Sequence, residues 1–156
     1  MHKTNAARIL DKQGISYELK EYEVDEDDLS ATSAAAKIGE GVNLVFKTLV
    51  LLGDKTGIIV AVIPGGAELN LKALAKVSNN KSVAMVHMKE LLGITGYIRG
   101  GCSPIGMKKN YPTFIHESCR QYNFIYVSAG MRGLQLKIHP DDLVKSCRGM
   151  VCSIIL

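Results

Sequence analysis

The most constraining feature of the sequence is a short apolar run, residues 45–52, that contains one charged side chain, Lys47. Seven of its eight residues are apolar or β-branched, which predicts a largely buried strand. Because side chains alternate across a strand, Lys47 shares a face with Val45, Leu49 and Leu51. A lysine with apolar neighbours on its own face either extends into solvent from an edge strand or lies in a pocket that accepts a cation. The spacing alone leaves both interpretations open.

The run around Lys47 also indicates the fold class. A turn at residues 53–57 and a second apolar run at 58–63 predict a hairpin that forms the core. Further strands are predicted near residues 15–24, 82–86, 113–116, 124–127, 134–138 and 151–156, and helices at 5–13, 30–38, 71–77, 88–92 and 141–147. We therefore expect an α+β protein with a mixed, mainly antiparallel, barrel-like sheet ringed by helices. Its 156 residues fit one domain, residues 1–156.

The charge distribution points to a polyanionic partner. The net charge is +4, yet seven of the fifteen acidic residues lie between Glu18 and Asp28, so the rest of the chain is strongly basic. A basic body of this kind suits RNA, and a plainly solvated basic surface is the alternative. No apolar run approaches the roughly 20 residues of a spanning helix, and no signal segment is recognisable. We expect a cytoplasmic protein.

The cysteines and histidines do not indicate a metal site. The four cysteines form no C-x-x-C pair, and the nearest approach to a ligand motif is His116 with Cys119. We expect reduced thiols, no metal and no cofactor.

Three segments occur in a characteristic order. The first is Phe-Lys-Thr-Leu at 46–49, the second a glycine-dense loop at 96–106, and the third the hairpin 126–134. Two adjacent glycines before Ser-Pro make a loop whose backbone can approach a ligand closely. Together, with Lys108 and Lys109 after the loop, these segments resemble the YbaK/EbsC family over nearly the whole chain. These are free-standing aminoacyl-tRNA deacylases related to the editing domain of some prolyl-tRNA synthetases.

The resemblance implies a function and a set of site residues. It implies trans-editing, the removal of cysteine from mischarged Cys-tRNA(Pro), with Cys-tRNA(Cys) as a second substrate. The acceptor end of aminoacyl-tRNA is then the partner, prolyl-tRNA synthetase a further candidate, and the oligomeric state stays open. By position, Lys47 matches the essential lysine. The implied substrate-binding residues are Tyr22, Leu29, Thr48, Ser103, Ser128 and Gln135.

Gly100 and Gly101 match backbone donors beside the substrate carbonyl. Amides in such a loop can stabilise the carbonyl oxygen as it becomes anionic, and a plain tight turn is the alternative. No Ser-His-Asp or Cys-His arrangement is recognisable, so Lys47 is assigned to electrostatic anchoring of the substrate. Cys102 is interpreted as a pocket-lining thiol rather than a nucleophile. Phosphate contacts are predicted for Lys72, Lys76, Lys108 and Lys109.

Two departures from the family leave specificity open. Gln135 stands where family members often carry an aspartate, and it cannot act as a carboxylate counterion. Leu29 is the nearest large apolar residue where a pocket aromatic is expected. Three alternatives therefore remain: a deacylase for another aminoacyl group such as alanine, a catalytically idle module that binds tRNA or a synthetase, and a small-molecule-binding regulator.

Overall fold

The computed structural model describes residues 3–156. Within them the helices are α1 (Asn5–Gln13), α2 (Ala31–Ile38), α3 (Leu71–Val77), α4 (Leu91–Thr95) and α5 (Pro140–Cys147). The strands are β1 (Glu18–Glu21), β2 (Phe46–Gly53), β3 (Gly57–Pro64), β4 (Val83–Met85), β5 (Thr113–His116), β6 (Ile125–Met131), β7 (Leu134–Ile138) and β8 (Met150–Cys152). Short 3-10 helices occupy Met88–Glu90 and Glu117–Gln121. All of the helices described are too short or too polar to span a bilayer.

The strands form two sheets. One has the order β1-β7-β6, and the other has the order β4-β2-β3-β5-β8. Strand pairing is antiparallel except for the parallel pairs β3–β5 and β5–β8. The predicted mixed, mainly antiparallel α+β fold is thus confirmed. The described strands do not close into a barrel, because backbone pairing between the two sheets is limited to an isolated bridge between Val45 and Tyr126.

The main core lies between the sheets. Phe46, Val60 and Val62 of the larger sheet pack with Val127 and Leu136 of the smaller one in a single cluster. Helices α1 and α5 cover this cluster with buried apolar side chains. The opposite face of the larger sheet is covered by α3. Burial of apolar surface on both faces of the larger sheet holds β2, and therefore Lys47, in a fixed register.

Local signals determine most of the helix ends. The Ser30 hydroxyl accepts a hydrogen bond from the Ser33 amide at 3.1 Å, and Gly39 in the left-handed conformation ends α2. The predicted helix at 88–92, which would end just before Gly93, ends too early. The helix runs on to a left-handed Gly96 with φ 87°, because a single glycine is tolerated inside a helix and the left-handed cap comes three residues later.

Candidate active site

A cavity of about 370 Å³ opens where the two sheets meet. Its floor is formed by strand residues of both sheets: Phe46, Lys47, Thr48 and Leu49 from β2, Ser128 from β6 and Gln135 from β7. One wall is the acidic segment that follows β1, and the other is the loop after α4. The three sequence motifs that lie far apart in the chain therefore meet at one site.

Lys47 lies half-buried on β2, where its backbone is paired with Ile63 of β3. Within residues 3–156 its ammonium group makes neither an ion pair nor a hydrogen bond. It lines the cavity, and β3 pairs with β2 on one side of it, whereas the pairing with β4 on the other side begins only at Leu51. A cation held at the rim of an apolar core without a protein counterion is suited to an anionic or strongly polar ligand group.

The loop after α4, residues 96–106, is held in shape by its own polar side chains. The Tyr97 hydroxyl donates to the Ile105 carbonyl at 2.6 Å, and the Thr95 hydroxyl accepts from the Tyr97 amide at 3.0 Å. Burial raises the pKa of Tyr97 to about 12, so this hydroxyl remains a donor across the physiological range. The Ser103 hydroxyl accepts from the Ile105 amide at 3.2 Å. These bonds make the loop a rigid wall of the cavity.

The two glycines of this loop differ in their setting. Gly100 lines the cavity with φ 82°, and its amide donates no hydrogen bond within the described residues. Gly101 is buried outside the cavity lining, and its amide already donates to the Ile98 carbonyl at 3.0 Å. Of the two predicted donors, Gly100 therefore lines the cavity with an amide that is unused within the described residues, whereas the Gly101 amide is used within the loop.

Ser103 is also outside the cavity. It is fully buried, and its hydroxyl is used within the loop, which is why the predicted contact with substrate does not fit the structure. The four lysines predicted to contact tRNA are exposed and do not line the cavity: Lys72 and Lys76 on α3, and Lys108 and Lys109 after the glycine loop. Their assignment stays a prediction about the outer surface.

The acidic segment between β1 and α2 forms the second wall. The Tyr22 amide donates to the Gly133 carbonyl at 3.0 Å, which fixes the start of the segment against the hairpin of β6 and β7. Arg132 ties its middle to the opposite wall. The Arg132 guanidinium contacts Glu26 Oε2 at 2.7 Å and donates from Nε to the Arg99 carbonyl at 2.9 Å. Tyr22 and Leu29, both predicted, line the cavity from this wall.

Two charged lining residues were not assigned to the site from the sequence. Arg99 is an exposed cation beside Gly100, and Asp28 is an exposed carboxylate whose pKa is held below its usual range by hydrogen bonds from Ser30. The sequence feature that could have identified Arg99 is that it is a lone cation within the glycine-dense loop at 96–106. Cys102, interpreted from the sequence as a pocket-lining thiol, also contributes to the lining. Burial raises the pKa of Cys102 to about 11, so its thiol is protonated at neutral pH and is a poor nucleophile.

This fold is shared with solved structures. A crystal structure described as a "putative trans-editing enzyme for prolyl tRNA synthetase" has a TM-score of 0.86 at 21% identity, covering 100% of this chain and 99% of that chain. The crystal structure of the hypothetical protein APE2540 has a TM-score of 0.89 at 22% identity, covering 98% and 100%. The likeness defines the class by fold: the chain is an α+β domain of the kind seen in these two structures.

The sequence comparisons define the family. The sequence model of the aminoacyl-tRNA editing domain matches residues 26–146. The chain is 50% identical over 152 residues to the "Putative Cys-tRNA(Pro)/Cys-tRNA(Cys) deacylase EbsC" of Enterococcus faecalis, covering 97% of this chain and 93% of that protein. The chain therefore belongs to the aminoacyl-tRNA editing domain family, and the resemblance to YbaK/EbsC proteins is confirmed.

Proposed function

We propose that this chain is a trans-editing aminoacyl-tRNA deacylase that removes cysteine from Cys-tRNA(Pro) in the cytoplasm. The observation that carries the proposal is that Lys47 and Gly100, whose amide donates no hydrogen bond within the described residues, line the same cavity. Membership of the editing family and the 50% identity to EbsC support the substrate class. Residues 1–156 act as one editing domain in this proposal, with Cys-tRNA(Cys) as a second substrate.

The cavity provides for the charge that develops during ester cleavage. The Gly100 amide donates to the ester carbonyl oxygen as that oxygen becomes anionic, a contact commonly worth about 3 kcal/mol of barrier. Lys47 anchors the ribose or terminal phosphate of the tRNA, which fixes the ester against the loop. Tyr22, Leu29 and Ser128 shape the space for the aminoacyl group.

The nucleophile in this proposal is the substrate's own thiol. Its sulfur attacks the ester carbonyl carbon, the carbon–oxygen bond to the ribose breaks, and the ribose oxygen takes up the thiol proton. The products are a cyclic thioester of cysteine and free tRNA. The raised pKa of Cys102 supports this assignment, because that thiol supplies almost no thiolate at neutral pH.

A panel of mischarged tRNAs tests the proposal. Purified protein is incubated with tRNA(Pro) carrying cysteine, serine or alanine, and the release of uncharged tRNA is followed. Cys-tRNA(Pro) should be cleaved, whereas Ser-tRNA(Pro) and Ala-tRNA(Pro), which lack a thiol, should persist. Rapid loss of alanine would overturn thiol assistance and favour the alanine deacylase that Gln135 and Leu29 leave open. Binding of tRNA without cleavage of any ester would favour an idle module.

The contacts with tRNA are proposed for the exposed lysines. Lys72, Lys76, Lys108 and Lys109 would neutralise phosphates of the acceptor stem, and prolyl-tRNA synthetase is a further proposed partner. Replacing one such lysine by alanine should lower the slope of log Kd against log salt by about one unit for tRNA. A slope that does not change for any of the four would remove this surface from the proposal.

A further inference from the structure

The floor of the cavity contains an unusual concentration of unsatisfied polar atoms. In the described residues, three buried side-chain oxygens lack a hydrogen-bond partner: Thr48 Oγ1, Ser118 Oγ and Gln135 Oε1. Two of the three belong to residues that line the cavity. Buried polar atoms are nearly always paired, and exceptions concentrate at functional sites. The two lining oxygens therefore indicate that the floor is built for a polar group of the ligand.

Gln135 Oε1 can only accept a hydrogen bond, whereas the Thr48 hydroxyl can donate or accept one. Gln135 is only 6% exposed, and the Ser128 hydroxyl opposite it on β6 accepts from the Gly130 amide at 3.2 Å and makes no hydrogen bond to Gln135 within the described residues. Each oxygen has less than 1 Å² of accessible surface. A ligand donor reaches Gln135 through rotation of its terminal amide, a torsion with a broad and shallow preference.

We propose that Gln135, assisted by Thr48, forms the subsite that binds the α-amino group of the aminoacyl ester. The inference rests on the proposed function. Of the donors that an aminoacyl moiety carries, the amine is the strongest, whereas a thiol is a weak one. The amine is also one carbon away from the ester carbonyl, so holding it orients the carbonyl toward Gly100.

Asp28 is the competing acceptor, because its carboxylate also lines the cavity. It is fully exposed at the rim, and one of its oxygens already accepts from the Ser30 amide at 3.1 Å. A buried acceptor without a partner gains more from a ligand donor than an exposed carboxylate that water solvates. The buried floor is therefore assigned to the amine, and the rim carboxylate serves as a direct comparison.

Two esters of the same tRNA(Pro) separate amine binding from structural effects. Cysteinyl-tRNA carries thiol and amine, and 3-mercaptopropionyl-tRNA carries the thiol alone. The variants are Gln135→Met, which keeps the length of the side chain without the acceptor, Thr48→Val, and Asp28→Asn as the matched control. Wild-type protein should prefer the cysteinyl ester by about tenfold or more in kcat/KM.

Gln135→Met should lose about tenfold on the cysteinyl ester and almost nothing on the 3-mercaptopropionyl ester, with Thr48→Val showing a smaller selective loss. Asp28→Asn should affect both esters alike. Equal losses by Gln135→Met and Thr48→Val on both esters would overturn the inference, and so would a selective loss by Asp28→Asn. Wild-type protein that cleaves neither ester would instead contradict the proposed function, and the amine subsite, which rests on it, would also be rejected.

Discussion

The backbone of Gly100 lies against the side chain of Leu29, so that a Cβ atom at residue 100 would lie 3.2 Å from the Leu29 Cβ. This contact joins the two walls of the cavity. It depends on glycine for two reasons, the lack of space and the left-handed φ of 82°.

Gly100→Ala should therefore lower both stability and activity. The left-handed conformation costs an alanine about 1–2 kcal/mol, and displacement of Leu29 or of the loop should reduce kcat/KM by tenfold or more. Gly14→Ala is the matched control, because Gly14 has φ 70° and a Cβ atom added there would meet nothing within 4 Å. It should lose similar stability with unchanged activity. Thermal unfolding and deacylation rates check both variants, and equal activity in the two would contradict the role of Gly100.

Lys47→Met should separate function from stability. Methionine keeps the aliphatic length of the lysine and removes a half-buried charge that has no partner in the described residues. We expect kcat/KM to fall by about a hundredfold, as for the loss of one electrostatic contact to the transition state, while stability stays within about 1 kcal/mol. Lys55→Met, in the exposed turn between β2 and β3, is the control and should change neither quantity. A Lys47→Met variant with wild-type rates would remove the anchoring role.

Arg132→Ala should loosen the acidic wall. The Arg132–Glu26 ion pair has an exposed glutamate and is worth about 0–1 kcal/mol, but the same half-buried guanidinium also holds the Arg99 carbonyl. We expect kcat/KM to drop about tenfold, mainly through KM, and residues 22–30 to become sensitive to protease. Glu26→Gln removes the charge alone and should stay within about threefold. Proteolysis that does not change in Arg132→Ala would show that the segment is held by other contacts.

Cys102 should react slowly with alkylating reagents at neutral pH. Burial raises its pKa to about 11, so the protonated thiol is favoured in the folded protein and the thiolate appears only as the pH rises toward 11. At pH 8 roughly one molecule in a thousand carries the thiolate, and the alkylation rate should rise about tenfold per pH unit. Mass spectrometry of the peptide containing Cys102 measures this rate. Cys102→Ala should retain deacylation activity. Loss of activity in that variant would indicate that the Cys102 thiol takes part in catalysis.

Local sequence patterns accounted for the elements of the fold. The apolar hairpin of β2 and β3, the caps of α2 and the proline at the start of α5 follow from periodicity and capping chemistry. The end of α4 was misjudged because either Gly93 or Gly96 satisfies the signal for a helix end, and the choice depends on packing. Whether the sheet closes into a barrel was beyond sequence patterns, because that depends on how the edges of distant strands meet.

The site was predictable only where a motif marked it. Lys47 stood out as a charge in an apolar strand, and the glycine pair stood out by composition. The pair could not be divided into Gly100, which faces the cavity, and Gly101, whose amide is used within the loop, because that division depends on hydrogen bonds. Asp28 and Arg99 reach the cavity through the tertiary arrangement of two loops, and no local pattern in the sequence reports that arrangement.

The junction between the two sheets has a mechanical consequence. Each sheet is a separate hydrogen-bonded ladder, and the Val45–Tyr126 bridge is the point where their backbones meet, next to the cavity. A molecule that occupies the cleft touches both ladders at once and resists their separation. Tight inhibitors of this protein should therefore raise its free energy of unfolding, and resistance to denaturant offers a way to find them without any charged tRNA.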